Sequence, residues 1–260
     1  MITYKTPEEV ELIRQSSILV GKTLGELKKA IRPGVSTLEL DDLAETFIRD
    51  HGAIPAFKGY APSFGETPFP NTLCTSVNEE VVHGMPSASR ILKDGDVISI
   101  DCGVLMNGYY GDSAYTFTVG EVSAKVRRLL EVTKESLYKG IEQAVAGNNV
   151  GAISHAVQRH AETYGYSVVR EMVGHGLGKN LHEPPEVPNY GKRRDGIKLR
   201  EGLVIAIEPM INLGKRHIDV ESDGWTIFAT DRLPSAHFEH SLVIGKDKAD
   251  ILSTFEYIEN

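Results

Sequence analysis

The chain is poor in cysteine, poor in tryptophan and free of long apolar runs. Only two cysteines, Cys74 and Cys102, occur in 260 residues, which excludes a disulfide scaffold and fits a reducing compartment. The apolar runs are short, such as residues 203–207, so no segment is expected to span a bilayer. The N-terminal stretch MITYKTPEEV has no apolar signal core, and the expected location is the cytoplasm. Long basic runs are missing too. With a net charge of −8, nucleic acid is not expected as the main partner. There is no Walker loop, no dinucleotide fingerprint, no HExxH and no GxSxG elbow. Low-complexity segments, linkers and short-period repeats are absent as well.

What is present is an ordinary globular composition, 41% apolar and 25% charged. A chain of this length can bury roughly three-quarters of its unfolded surface, enough for a large core. The pattern predicts a helix from Pro7 to Ile31, with Thr6 as N-cap and a stripe of Val10, Ile13, Ser17, Val20, Leu24 and Leu27. Pro33-Gly34 stops it. A second helix begins after Ser36 or Thr37 and ends at His51-Gly52. Residues 54–75 read as an irregular stretch, rich in proline and glycine and carrying Phe57, Tyr60, Phe64 and Phe69; a long aromatic loop is more often functional than filler. Two further helices are expected over 123–146 and 150–164, and the rest alternates short strands with Gly/Pro loops. The order helices, strands, helices, strands predicts an α+β fold.

The segment VISIDCGVLMNGYYGDSAYTFTV carries the first chemical signal. Residues 97–105 and 109–119 read as strands, and Asn107-Gly108 is a two-residue hairpin turn. If Met106 pairs with Tyr109, Asp101 stands opposite Ala114 and shares a face with Asp112, about 7 Å away at Cβ. A three-residue loop would put the two on opposite faces. Ser99 and Thr116 fall on the same face, which would then line a cavity. Ile98, Ile100, Tyr115, Phe117 and Val119 form the opposite face, to be packed under helices. Two aspartates so close stay ionised only beside a cation; otherwise one takes up a proton. Read alone, they are also what a solvated hairpin would carry.

Downstream, GHGLGKNLHEPP holds His175 and His182 among glycines, a loop able to aim an imidazole at a metal or a substrate oxygen. Glu208 closes the apolar run 203–207, and Glu239 enters another apolar strand in AHFEHSLVI. A carboxylate at the end of a buried strand needs a partner, either a salt bridge or a metal. Two Asp, two Glu and at least one His suit Mn, Fe, Co or Zn, and bridging carboxylates suit a two-metal site.

These residues lie in motifs that resemble a known family. KTPEEVELIR, TSVNEEVVHGMP, DVISIDCGV, GYYGDSA, GHGLGKNLHEPP, AIEPM, ESDGWT and SAHFEHS, in this order, are similar to those of the type I methionine aminopeptidases of the pita-bread metallopeptidase superfamily. The resemblance implies two pseudo-symmetric halves with a curved, mainly antiparallel central sheet covered by helices, and a single catalytic metallopeptidase domain over 1–260. It implies metal-dependent removal of the initiator methionine from nascent polypeptides whose second residue is small. It implies two divalent ions: one chelated by Asp101, the other held by His175 and Glu208, with Asp112 and Glu239 bridging. His83 matches the histidine near the scissile amide. His182 matches the one that hydrogen-bonds the substrate carbonyl, and Glu208 the general base. The substrate's free amine would approach the metal held by Asp101. Tyr60, Phe69, Cys74 and Trp225 match the methionine pocket, where sulfur–aromatic contacts suit the thioether.

Two departures stand out. Leu181 occupies a position where an aromatic is common, and the loop between Tyr60 and Cys74 is longer than in short bacterial relatives. Glu208 and Glu239 lie too close in sequence for the helical insert of the type II enzymes. The resemblance implies nascent peptides with N-terminal methionine and the ribosome as partners, no DNA and no membrane, and a monomer. The alternatives are an X-Pro aminopeptidase on the same fold, or a non-catalytic peptide-binding member of the superfamily; such members typically lose metal ligands.

Overall fold

Helix α1, Pro7–Ala30, starts at a capping box in which Thr6 and Glu9 satisfy each other's backbone N–H groups. Helix α2, Thr37–Asp50, repeats the device with Ser36 and Glu39. The structure is a computed structural model that describes residues 1–61 and 67–260; Pro62, Phe64 and Gly65 of the aromatic loop lie outside the described residues. After α2 come β1 (Ile54–Pro55), β2 (Leu73–Val77), β3 (Glu80–Val82), β4 (Val97–Met106) and β5 (Tyr109–Thr118). The second half again opens on two helices, α3 (Ala124–Ile141) and α4 (Val150–Thr163). Strands β6 (Ser167–Val168), β7 (Gly174–Gly176), β8 (Glu183–Val187), β9 (Val204–Ile207) and β10 (Met210–Asn212) follow. Then come β11 (Ile218–Val220), β12 (Ile227–Ala229), β13 (Ser235–His237), β14 (His240–Val243), β15 (Asp250–Ile251) and the short α5 (Glu256–Glu259).

Every pairing between these strands is antiparallel. Strand β4 is the spine of the first half: β5 runs along one edge, and β2 and β1 share the other. In the second half the order is β15-β14-β9-β7-β8. The hairpin has the predicted register, Met106 opposite Tyr109 and Asp101 opposite Ala114. Asn107 and Gly108 both take positive φ, 54° and 78°, the left-handed turn that matches strand twist. The face of Ile98, Ile100, Phe117 and Val119 is buried beneath α1, with Tyr115 partly buried beside it. It shares one core with Val20 and Leu24 of α1, with Leu129 and Leu137 of α3, and with Ile205 and Ile207 of β9.

Two expectations need correction. The helix expected over 123–146 ends at Ile141, because Val145 leaves it to bridge Gly245. Ser99 and Thr116 do not line the cavity that Asp101 and Asp112 face. Both are buried and hydrogen-bonded to each other at 2.8 Å, and the Thr116 hydroxyl donates to the carbonyl of His237 and accepts from its N–H. Their polarity serves to fasten β13 to β5. Next to them the Ser113 hydroxyl donates to the Glu239 carbonyl, the Glu239 N–H to the Ala114 carbonyl, and the Ser241 hydroxyl to the Asp112 carbonyl. The seam between the halves is therefore sewn at the two aspartate-bearing and glutamate-bearing segments. No helix among the described residues is long and apolar enough to cross a membrane.

Candidate metal centre

Asp101 projects from β4 and Asp112 from β5; Glu208 follows β9, and Glu239 lies between β13 and β14. The sequence places His175 in a loop, but it sits on a strand, β7. The flanking glycines explain this: a Cβ on Gly174 would fall 2.4 Å from the Ala206 carbonyl oxygen, and one on Gly176 would fall 2.5 Å from that of Pro184. Only glycine lets β7 fit between β8 and β9 with an imidazole pointing inward.

One ligand atom each from Asp112, His175 and Glu239 lies within 4.8 Å of the others. The His175 ring binds its own neighbour, with Nδ1 donating to the Gly176 carbonyl at 2.9 Å. That leaves Nε2 as the free lone pair, 3.5 Å from Glu208 and 3.8 Å from Asp112. Asp101 stands against Asp112, near enough for one carboxyl to hydrogen-bond the other when protonated. The buried oxygens Asp101 Oδ1, Asp112 Oδ1 and Glu239 Oε1 have no hydrogen-bond partner among the described residues. A set of orphaned carboxylate oxygens around one imidazole nitrogen fits divalent cations.

The electrostatics point the same way. Burial, reinforced by neighbouring carboxylates, pushes Asp112, Glu208 and Glu239 well above the usual carboxylate range. Burial lifts Asp101 to about 7. Burial also depresses His175, to about 3, with His182 adding to the effect. Four carboxylates packed together resist ionisation, and added positive charge reverses that.

These five side chains form part of the lining of a cavity of about 450 Å³ that also takes in His83, His182, Tyr60, Phe69, Cys74 and Trp225. All the residues expected from the sequence at the site are thus brought together. His182 Nδ1 shares a hydrogen bond of 2.8 Å with the Tyr60 hydroxyl, and its ring stands edge-on to His175 at 4.3 Å. Burial lowers both His182 and His83 to about 4, so both rings are neutral near pH 7. His83 sits at φ 58°, a left-handed conformation rare for a non-glycine residue and frequent at functional sites. Phe69 meets Trp225 edge-on at 5.2 Å. The Cys74 thiol is buried and pushed up by burial and by Asp101, which suits a pocket wall rather than a nucleophile. Leu181 is buried in the same apolar cluster as Phe57, Phe69 and Cys74.

One neighbour has no place among the residues singled out from the sequence. His237 is buried, and its unpartnered Nε2 lies 3.7 Å from Glu208 Oε2. The pairing of β10 with β13, Met210 opposite His237, brings it there. Its spacing of two from Glu239 is the only hint in the sequence.

A buried carboxylate–imidazole floor under an aromatic-walled cavity, on two antiparallel halves, defines a metallopeptidase architecture. The model of metallopeptidase family M24 matches residues 11–246, and the chain belongs to that family. Within it, the chain stands with the methionine aminopeptidases. It is 51% identical over 253 residues to methionine aminopeptidase 1 of Bacillus subtilis, covering 97% of this chain and 99% of that one. It is 49% identical over 256 residues to a methionine aminopeptidase of Clostridium acetobutylicum, covering 98% and 100%. The crystal structure of methionine aminopeptidase from Thermotoga maritima superposes with a TM-score of 0.93 at 40% identity, covering 98% of this chain and 100% of that one.

Proposed function

We propose that this chain removes the initiator methionine from nascent polypeptides whose second residue is small, as one metal-dependent catalytic unit spanning 1–260. The observation that carries the reading is the set of unpartnered buried carboxylate oxygens facing His175 Nε2 on the floor of an aromatic-walled cavity. Asp101, Asp112, His175, Glu208 and Glu239 would hold two divalent ions, drawn from Co, Mn, Fe or Zn. Such ions supply Lewis acidity and a water that ionises near neutral pH.

The remaining work falls to the chain's own side chains. Tyr60, Phe69, Cys74 and Trp225 take the methionine side chain. Glu208 accepts a proton from the attacking water and returns it to the leaving amine. His182, neutral and with Nδ1 held by Tyr60, donates from Nε2 to the carbonyl oxygen as charge develops there. His83 faces the scissile amide. A free N-terminal amine is required because the pocket ends at the metal floor, which makes the enzyme an exopeptidase. The protein acts as a monomer in the cytoplasm, on chains emerging from the ribosome.

The direct test is a series of Met-X-Ser peptides with X varied from Gly to Leu. Turnover should hold for Gly, Ala and Ser and fall about a hundredfold at Leu. Faster cleavage of an X-Pro peptide than of Met-Ala-Ser would contradict the reading.

A further inference from the structure

The loop that carries Tyr60 and Phe69 is fastened at both ends to one face of α2. Asp41 and Glu45 are one helical turn apart on that helix. At the loop's start, Lys58 donates to Glu45 at 2.6 Å. At its end, Asp41 Oδ1 accepts the backbone N–H groups of Thr72 at 2.9 Å and Leu73 at 2.7 Å, and Oδ2 accepts the Asn71 amide at 3.0 Å. The two clasps differ in kind. Glu45 is an open surface pair that also serves Arg49. Asp41 is only 2% exposed and makes no ion pair among the described residues. A buried carboxylate is costly, and this one is satisfied entirely by the chain segment that runs into β2.

The loop is also closed on itself. The Gly59 N–H donates to the Phe69 carbonyl at 2.8 Å, and the Phe69 N–H donates to that of Tyr60 at 2.9 Å. On the far side Trp225 Nε1 donates to the Thr67 carbonyl at 3.2 Å, while its ring meets Phe69. Cys74, another wall of the pocket, follows directly on the residues that Asp41 holds. Asp41 touches no part of the cavity itself; it is not among the residues that line it.

We propose that Asp41 is a positioning residue for side-chain selection. It fixes the path from Phe69 to Cys74 and so sets the width of the pocket between Phe69, Trp225 and Tyr60. The inference rests on the aminopeptidase reading for its substrate, a peptide with N-terminal methionine. The need for acceptors on both oxygens explains an aspartate here. Asparagine keeps one acceptor oxygen and lets the Asn71 amide turn to meet it. Alanine leaves two buried N–H groups with no acceptor.

The test compares metal-loaded wild type, Asp41→Asn and Asp41→Ala by kinetics on Met-Ala-Ser and Phe-Ala-Ser and by the emission of Trp225, the single tryptophan. In Asp41→Ala, KM for Met-Ala-Ser should rise about tenfold with kcat within about threefold, and the preference for Met over Phe should narrow. Trp225 emission should shift to the red and become more open to acrylamide quenching. Asp41→Asn should shift in the same directions by a smaller amount, and it carries the test if the alanine variant does not fold. Folded variants with wild-type preference and wild-type Trp225 emission would overturn the inference. Failure of the wild type to cleave Met-Ala-Ser would refute the aminopeptidase reading instead, and the Trp225 measurement would still decide whether Asp41 sets the wall.

Discussion

Asp112 shows what a single residue contributes here. Its carboxyl lies among Asp101, Glu239 and Glu208, and burial and those neighbours hold it in the proton-bound form until positive charge arrives. Replacement by asparagine removes one of four competing charges. Asp112→Asn should therefore drop Met-Ala-Ser turnover below about 1% of wild type, since a proposed metal ligand is lost. Chelator-stripped Asp112→Asn should at the same time be more stable than stripped wild type by about 1–2 kcal/mol at pH 8, measured by urea unfolding. The pH dependence has a definite sign. Asp101 titrates at about 7 in the fold, against an ordinary value of 3.8. Between those values Asp101 binds more protons in the folded state than in the unfolded one, so its own contribution falls as pH rises from about 4 to about 7. The buried His83, His175 and His182 act in the opposite sense, and the Asp101 sign is therefore read as stripped Asp101→Asn gaining stability relative to stripped wild type across that window. A stripped Asp101→Asn that fails to gain stability relative to stripped wild type across that window, or full activity of Asp112→Asn, would contradict this account of the site.

At the scale of elements, the site depends on how closely β7, β8 and β9 approach. Gly174→Ala places a methyl against the Ala206 carbonyl and must push β7, with His175, away from β9, which leads to Glu208. The variant should lose about 2 kcal/mol of stability. It should also bind metal about tenfold more weakly, read by calorimetry, because His175 is moved away from Glu208, its proposed partner in holding one ion. This closeness marks the limit of what the sequence discloses. Asn107-Gly108 fixes a hairpin register locally, so the shared face of Asp101 and Asp112 is legible from the residues alone. The caps at Thr6 and Ser36 are legible for the same reason. His175 on a strand is not, because the glycines around it read equally as a loop until the partner strands are known. Ser99 and Thr116 look like cavity residues because alternation reports a face and not what covers it. Here the cover is β13. His237 and Asp41 escape notice because each meets its partner only through long-range packing: His237 through β10, and Asp41 through a loop 31 residues on.

For the whole molecule, the formal charge of −8 is largely a surface property, but four of its carboxylates face inward. The two divalent ions proposed would bring about four positive charges to them, and the loaded protein would be less acidic than its sequence by roughly that amount. The apolar core runs without a break from α1 and β4 into α3, α4 and β9, and the two halves meet at the metal floor through Ser113, Thr116 and Ser241. Folding of the halves onto one another is thus what brings Asp101 and Asp112 of the first half to His175, Glu208 and Glu239 of the second. The central claim is that this seam is a two-metal catalytic floor. It is tested most directly by calorimetric titration of Mn(II) into chelator-stripped protein, with Met-Ala-Ser turnover followed in the same samples. The account predicts saturation at two ions per chain and turnover that appears only as the site fills. Full turnover in the stripped protein, or none with Mn, Co, Fe or Zn once the ions are bound, would contradict it.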